Sequence, residues 1–234
     1  MQGVRWLFFD LGNTLISEQA AVDSRVRQIV SSFERYGRCV SVKDVTITLR
    51  EAWGSFHPRP IARAIEVLTD DRKIRQLVVA EARYPKELEE PYEGAEPAPQ
   101  ALALRYRIGV IANQSAGTEA RLTRWGVDAV HLDPPLLRGD WLRETGPAIF
   151  RLALAQARCE PYHAVMIGDR LDNDIRRARL LGWKTIRILQ GFARFQKPRD
   201  RLDEADATIA DLGQLPPCSR LRSFPPKQIG VIKP

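Results

Sequence analysis

The sequence predicts an α/β fold, a doubly wound parallel sheet with an all-helical domain inserted after its first strand. Three observations predict it. An apolar run of strand length, Val4–Phe9, ends at Asp10 and a turn. The stretch from Ser17 to Pro91 shows only helical periodicity, and from Arg107 onward apolar β runs alternate with helices of about ten residues, the signature of right-handed βαβ crossovers.

The elements follow in order. Ser17 is a plausible N-cap, and Val22, Val26, Ile29, Val30 and Phe33 recur at three- and four-residue spacings until Gly37. A second helix follows Ser41, with Val45, Leu49, Ala52, Trp53 and Phe56 on its apolar side before the breaker His57–Pro60. Ile61–Leu68 and Ile74–Tyr84 are two more helices, closed by Pro85. Arg107–Ala112 is then a strand, Thr118–Trp125 a helix, Ala129–Leu132 a strand and Pro147–Arg158 a helix. Strand Ala164–Ile167, helix Asp172–Leu181, strand Lys184–Leu189 and a short strand at Ala207–Ile209 complete the pattern. Residues 1–16 and 92–215 therefore form the core domain, 17–91 the helical insertion, and 216–234 an irregular basic tail.

With 234 residues and 44% hydrophobic content, the chain can bury a sizeable core. Cys39, Cys159 and Cys218 lie far apart and form no CxxC, which argues against a zinc site or disulfide scaffold and for a reducing, cytoplasmic setting. The N-terminal run is too short and polar for a signal peptide, and no stretch approaches the roughly 20 apolar residues of a membrane span. Lys and Arg total 36 against 29 Asp and Glu. This diffuse excess lacks the aromatic-interleaved basic patch of a nucleic-acid binder and suits steering of phosphorylated ligands. No oligomeric state follows from the sequence.

In an open parallel sheet, ligands bind outside the carboxyl ends of the strands. Asp10, Asn113 and Gly168-Asp169 all fall there. Carboxylates converging on one crevice repel one another unless a cation joins them, and an all-oxygen site with one or two carboxylates suits Mg²⁺. Helix capping by Asp10 and Asp169 is the plainer alternative.

The segments FFDLGNTL at Phe8–Leu15, IANQ at Ile111–Gln114, MIGDRLDNDI at Met166–Ile175 and DATIADLGQL ending at Leu215 resemble the motifs of the haloacid dehalogenase-like (HAD) hydrolases. That family consists mainly of phosphatases and includes dehalogenases, phosphonatases and mutases. The resemblance spans Val4–Leu215 and places the Ser17–Pro91 helices where many members carry a cap. It implies that Asp10 is a nucleophile forming an aspartyl-phosphate, and that Mg²⁺ is held by Asp10, the Gly12 backbone carbonyl and Asp169, with Asp174 beside them. It further implies a small phosphorylated substrate, with Asn113, Gln114, Arg143 and Arg170 as candidate substrate-binding residues.

Three positions depart from the family pattern. Gly12 stands where most phosphatases of the family carry a second Asp, the general acid and base, whose contribution is about 10²–10⁴-fold. Ala112 replaces the usual Ser or Thr, leaving Asn113 and Gln114 to donate amide hydrogen bonds, and Glu144 aligns with the usual lysine, with Arg143 or Arg138 as substitute cations. Family dehalogenases also lack the second Asp, but they need no metal, so the retained acids Asp169 and Asp174 argue against that activity. A phosphonatase would use a cap lysine, for which Lys43, Lys73 and Lys86 are available. Two readings remain open: a Mg²⁺-dependent phosphatase, and a catalytically impaired member that binds or regulates. Among other conspicuous residues, Trp53 and Phe56 read as cap core, His57 as a turn or specificity residue, and His131 and His163 as structural. The Arg170, Arg176, Arg177 and Arg179 cluster reads as a solvated helix face.

Overall fold

A computed structural model of the chain describes residues 3–112, 136–137 and 148–215. Its centre is a parallel sheet of six strands. Strand β1 (Trp6–Phe9) lies between β4 (Arg107–Ala112) and β6 (Ala164–Gly168); β5 (Leu136–Leu137) borders β4, while β7 (Lys184–Ile188) and β8 (Ala207–Ile209) extend the other side. The direction of winding reverses at β1. Phe9 pairs with Val110 on one side and Ile167 on the other, so β1 ends between its neighbours, one residue short of the end of β6 and two short of the end of β4, and Asp10 enters the crevice at that point.

The alternation of β1 explains why the sheet is covered twice. Leu7 and Phe9 face one side, with Val110, Val165, Ile167, Ile186 and Ile188, under Leu102 of α5 (Pro97–Ala103). Trp6 and Phe8 face the other, with Met166, Trp183, Phe150 of α6 (Ala148–Ala157) and Ala178 of α7 (Arg176–Leu180). Phe8 and Trp183 meet at 4.9 Å between ring centroids, and Gly109 leaves the space that the Phe8 ring fills. With both faces dry, every residue of β1 is apolar, which is why the run was legible.

The inserted segment carries α1 (Gln19–Arg35), α2 (Val42–Gly54), α3 (Pro60–Leu68) and α4 (Arg72–Glu81) around its own core of Val26, Ile29, Phe33, Val45, Leu49, Ile65 and Val78. Ser41 and Asp44 form a reciprocal capping box on α2, and Asp71 caps α4 through the Lys73 and Ile74 amides. The Glu81 carboxylate gathers Ser32, Arg35 and Tyr36, tying α4 to α1.

Several expectations need correction. Ser17 is not an N-cap but part of β2 (Ile16–Ser17), which pairs antiparallel with β3 (Glu90–Pro91), so the insertion stands on a two-stranded neck and is not helical throughout. Ile16 is buried against the sheet core, and the Tyr92 amide donates to the Leu15 carbonyl, holding this stretch extended. Helix α1 starts at Gln19 without a side-chain cap. Helix α4 stops at Glu81, not Tyr84, because the Ala82 carbonyl accepts from Arg25 and the Arg83 amide donates to Gln28.

The predicted helix from Asp172 begins as a wide π turn at Leu171–Ile175, where the Asp174 and Ile175 amides share the Arg170 carbonyl. Three of the four arginines there are paired rather than solvated: Arg170 with Asp172, Arg176 with Asp200 and Asp203, and Arg179 with Asp206. Trp53 and Phe56 are not in the helical core; their rings lie under Arg170 and Arg199 of the sheet domain, at 5.2 and 4.0 Å. Arg50 stacks likewise on Phe195, so guanidinium–ring contacts join the helices to the sheet domain. His57 is a turn residue whose Nδ1 accepts from the Arg59 amide, and His163 is structural, bonded to the Gly3 carbonyl. The predicted helix Thr118–Trp125, strand Ala129–Leu132 and the tail lie outside the described residues. Among the described residues, no helix is long and apolar enough to cross a membrane.

Candidate active site

The site begins where β1 ends. The Asp10 amide donates to the Ile167 carbonyl at 2.9 Å, continuing the β1–β6 ladder by one residue and fixing Asp10 at the sheet edge. The chain then turns tightly, with the Leu15 and Ile16 amides both bonded to the Leu11 carbonyl. This places Thr14 beneath Asp10, its hydroxyl donating to the carboxylate at 3.5 Å. On the adjacent strand, β6 delivers Asp169, and the wide turn after it swings Asp174 back to accept from the Arg170 amide at 2.9 Å.

Asp10, Asp169 and Asp174 thereby come together, each offering a carboxylate oxygen within 4.8 Å of the others. Asp169 and Asp174 are buried and Asp10 is partly exposed. Burial raises the pKa of Asp10 well above the ordinary carboxylate value, and the charge of Asp174 adds to it. Asp169 is raised for the same reasons, with Asp10 contributing as well. Burial pushes Asp174 up to about 6, against the opposing effect of the Arg170 amide. Three acids so placed repel one another as anions and favour protons or a divalent ion over free charge. Sequence reasoning named all three.

Gly168 makes the approach possible. A Cβ there would fall within 2.6 Å of the Asp174 Cβ and closer still to its carboxyl oxygen. Gly168→Ala is expected to displace Asp174, destabilise the fold by about 1–3 kcal/mol and weaken divalent-cation binding about 10–100-fold. Calorimetric titration of the cation into wild type and variant checks this; unchanged affinity would refute the packing argument.

Arg170 lies beside the acids and lowers the pKa of both Asp10 and Asp169. Its guanidinium grips Asp172 through two bonds of 3.1 and 2.7 Å and lies over Trp53. Gln196 secures this arrangement, donating to Asp172 and accepting from the Leu171 amide. Asn113, Gln114 and Arg143, with Arg138 and Glu144, lie outside the described residues.

Sequence reasoning missed what lies next to Gly12. A Cβ built on Gly12 would sit 2.6 Å from Oε1 of Glu18, so a carboxyl from the neck stands in the space a side chain at position 12 would enter. Asn13 donates to the other oxygen, Oε2, at 2.9 Å. Asn13 itself has positive φ, a conformation Asn tolerates better than most residues, and packs where Gly191 lacks a side chain. Burial raises the Glu18 pKa, as does the neighbouring Glu89.

A parallel sheet with an acid at its switch point, two more acids in the loop and turn after the adjacent strand, and helices inserted after the first strand match the haloacid dehalogenase-like fold. Residues 142–215 match the family model described as HAD-hydrolase-like. The chain is 25% identical over 216 residues to the glyceraldehyde 3-phosphate phosphatase of Methanopyrus kandleri, covering 88% of this chain and 93% of that protein. It is 23% identical over 232 residues to the Pyrococcus furiosus enzyme of the same name, covering 92% of each. Its fold is similar to that of a haloacid dehalogenase-like family hydrolase from Xanthomonas campestris, with TM-score 0.63 at 18% identity over 96% of this chain and 97% of that one. The matched segment and the shared fold make the chain similar to the haloacid dehalogenase-like hydrolases.

Proposed function

We propose that the chain is a Mg²⁺-dependent phosphatase of a small phosphorylated metabolite, with Asp10 as nucleophile. The observation that carries this reading is the convergence of Asp10, Asp169 and Asp174 at the switch point of the sheet. Their all-oxygen donor set and mutual repulsion fit a hard divalent cation. Asp10, Asp169 and the Gly12 carbonyl would hold it, with Asp174 beside them. When bound, the cation would offset the repulsion between the carboxylates and the phosphate dianion.

Asp10 attacks phosphorus in line, its oxygen forming a P–O bond as the bond to the leaving oxygen breaks. Water then attacks the aspartyl-phosphate and returns Asp10 as a carboxylate. Thr14 holds one Asp10 oxygen and so orients the other. The helices at 17–91 act as a cap over the crevice, excluding water and selecting the substrate, with Trp53 on the side that meets Arg170. The names of the archaeal relatives make a triose phosphate a natural first member of a substrate panel.

The departures at Gly12, Ala112 and Glu144 favour a second reading, a protein that keeps the cation site but binds without turnover. Release of inorganic phosphate from a panel of phosphorylated metabolites, glyceraldehyde 3-phosphate among them, separates the two. The phosphatase reading expects release with Mg²⁺ that a chelator abolishes. No release from any member would leave the second reading standing.

A further inference from the structure

We propose that Glu18 is the acid–base residue of the reaction, supplying from the neck of the insertion the carboxyl that Gly12 does not. The inference rests on the phosphatase reading. Its ground is placement: Oε1 of Glu18 lies 2.6 Å from where a Cβ on Gly12 would be. A side chain at position 12 and the Glu18 carboxyl therefore compete for the same volume, and glycine leaves it to Glu18. The two oxygens of Glu18 are also differentiated. Oε2 is fixed by the Asn13 amide, whereas Oε1 makes no hydrogen bond among the described residues. Asn13 is in turn held by its positive-φ backbone and by the Gly191 loop, so the carboxyl rests on a rigid support rather than on a free side chain. The charge of Glu18 acts on both Asp10 and Asp169, as it must if the carboxyl shares their crevice.

The proton balance closes. In the first half-reaction Asp10 forms its bond to phosphorus, the bond to the leaving oxygen breaks, and protonated Glu18 gives its proton to that oxygen. In the second, the Glu18 carboxylate takes a proton from water as the water oxygen attacks phosphorus and the Asp10 bond breaks. Glu18 ends protonated and Asp10 ionised, ready for another cycle.

A purely structural Glu18 would affect all substrates alike; an acid–base Glu18 would not. Glu18→Gln keeps an oxygen for Asn13 but has no proton to give. It is expected to slow phosphate release from an alkyl phosphate by about 10²–10⁴-fold. With p-nitrophenyl phosphate, whose leaving group needs no proton, the rapid-mixing burst of nitrophenolate should persist near the wild-type rate, followed by a slow steady state as the aspartyl-phosphate accumulates. Equal loss of the burst and of alkyl phosphate turnover would overturn the proposal, as would undiminished alkyl phosphate turnover. A second variant guards against misfolding: in Glu18→Ala, adding Gly12→Asp should recover alkyl phosphate turnover by about tenfold or more. Failure of Gly12→Asp to improve Glu18→Ala would also overturn it. If wild-type protein releases phosphate from neither compound, the phosphatase reading itself fails; if wild type is active and Glu18→Gln matches it, only the role of Glu18 fails.

Discussion

Asp10→Asn is expected to lower phosphate release by roughly 10⁴–10⁶-fold, the scale on which removing a nucleophile acts. The substitution is isosteric and an amide oxygen is a far poorer nucleophile than a carboxylate. The backbone bond from residue 10 to Ile167 and the Thr14 contact survive it, so the loss is chemical rather than structural. One further consequence distinguishes this variant from a damaged fold. Asp10 carries a raised pKa because it is desolvated and close to Asp174, so neutralising it removes a repulsion. Cation-free Asp10→Asn should therefore melt at a higher temperature than cation-free wild type at neutral pH. Phosphate release and thermal unfolding on the same preparations check both halves. Equal turnover by wild type and variant would remove Asp10 from the chemistry.

The parts of this arrangement that were legible in the sequence share one property: a single segment suffices to specify them. Strand β1 is apolar at every position because both faces of the sheet are covered, and Asp10 follows as the first polar residue at its end. Asp169 and Asp174 were legible for a similar reason, since a strand and a turn of fixed length bring both to one place. The capping box at Ser41 is local by construction.

What escaped depends on partners distant in sequence or on space rather than on pattern. Ser17 has the chemistry of an N-cap, yet Glu90 and Pro91 draw it into a ribbon some seventy residues away. Trp53 and Phe56 fall at helical spacing, but their partners are arginines of the sheet domain, which periodicity along α2 does not reveal. Helix α5 is short and contains Pro97 and Pro99, so its composition resembles a loop until its first turn is placed, where proline is tolerated. Glu18 escaped for the most instructive reason. The missing side chain at Gly12 reads as a loss, and only the volume around it shows another carboxyl filling the gap.

The cluster of three acids makes the response of stability to pH and to cation the second large effect. A carboxyl whose folded pKa is raised binds more protons in the folded state than in the unfolded one. Its contribution is therefore fully present below the ordinary value of 3.8 and is lost as pH rises through the folded pKa. For Asp174 that loss runs from the ordinary value up to about 6, and for Asp10 and Asp169, also raised, it begins above the same ordinary value. Asp203 and Asp172 act in the opposite sense: hydrogen bonds from Arg199 and Arg170 lower their pKa values, so their contribution is lost as pH falls below the usual carboxylate range. Cation-free protein should accordingly be most stable in mild acid and weaken toward pH 8. A divalent cation held by these carboxylates, as proposed, should reverse the neutral-pH penalty. At a hundred times its dissociation constant, Mg²⁺ adds about 2.7 kcal/mol, which for a chain of this size raises the melting temperature by roughly 5–10 °C. The rise should be large at pH 7.5 and small at pH 5, where protons occupy the same oxygens. Asp169→Asn should lift the cation-free melting temperature at pH 7.5 and abolish the response to Mg²⁺. A response that is the same at both pH values, or that survives Asp169→Asn, would place the cation somewhere other than between these three carboxylates.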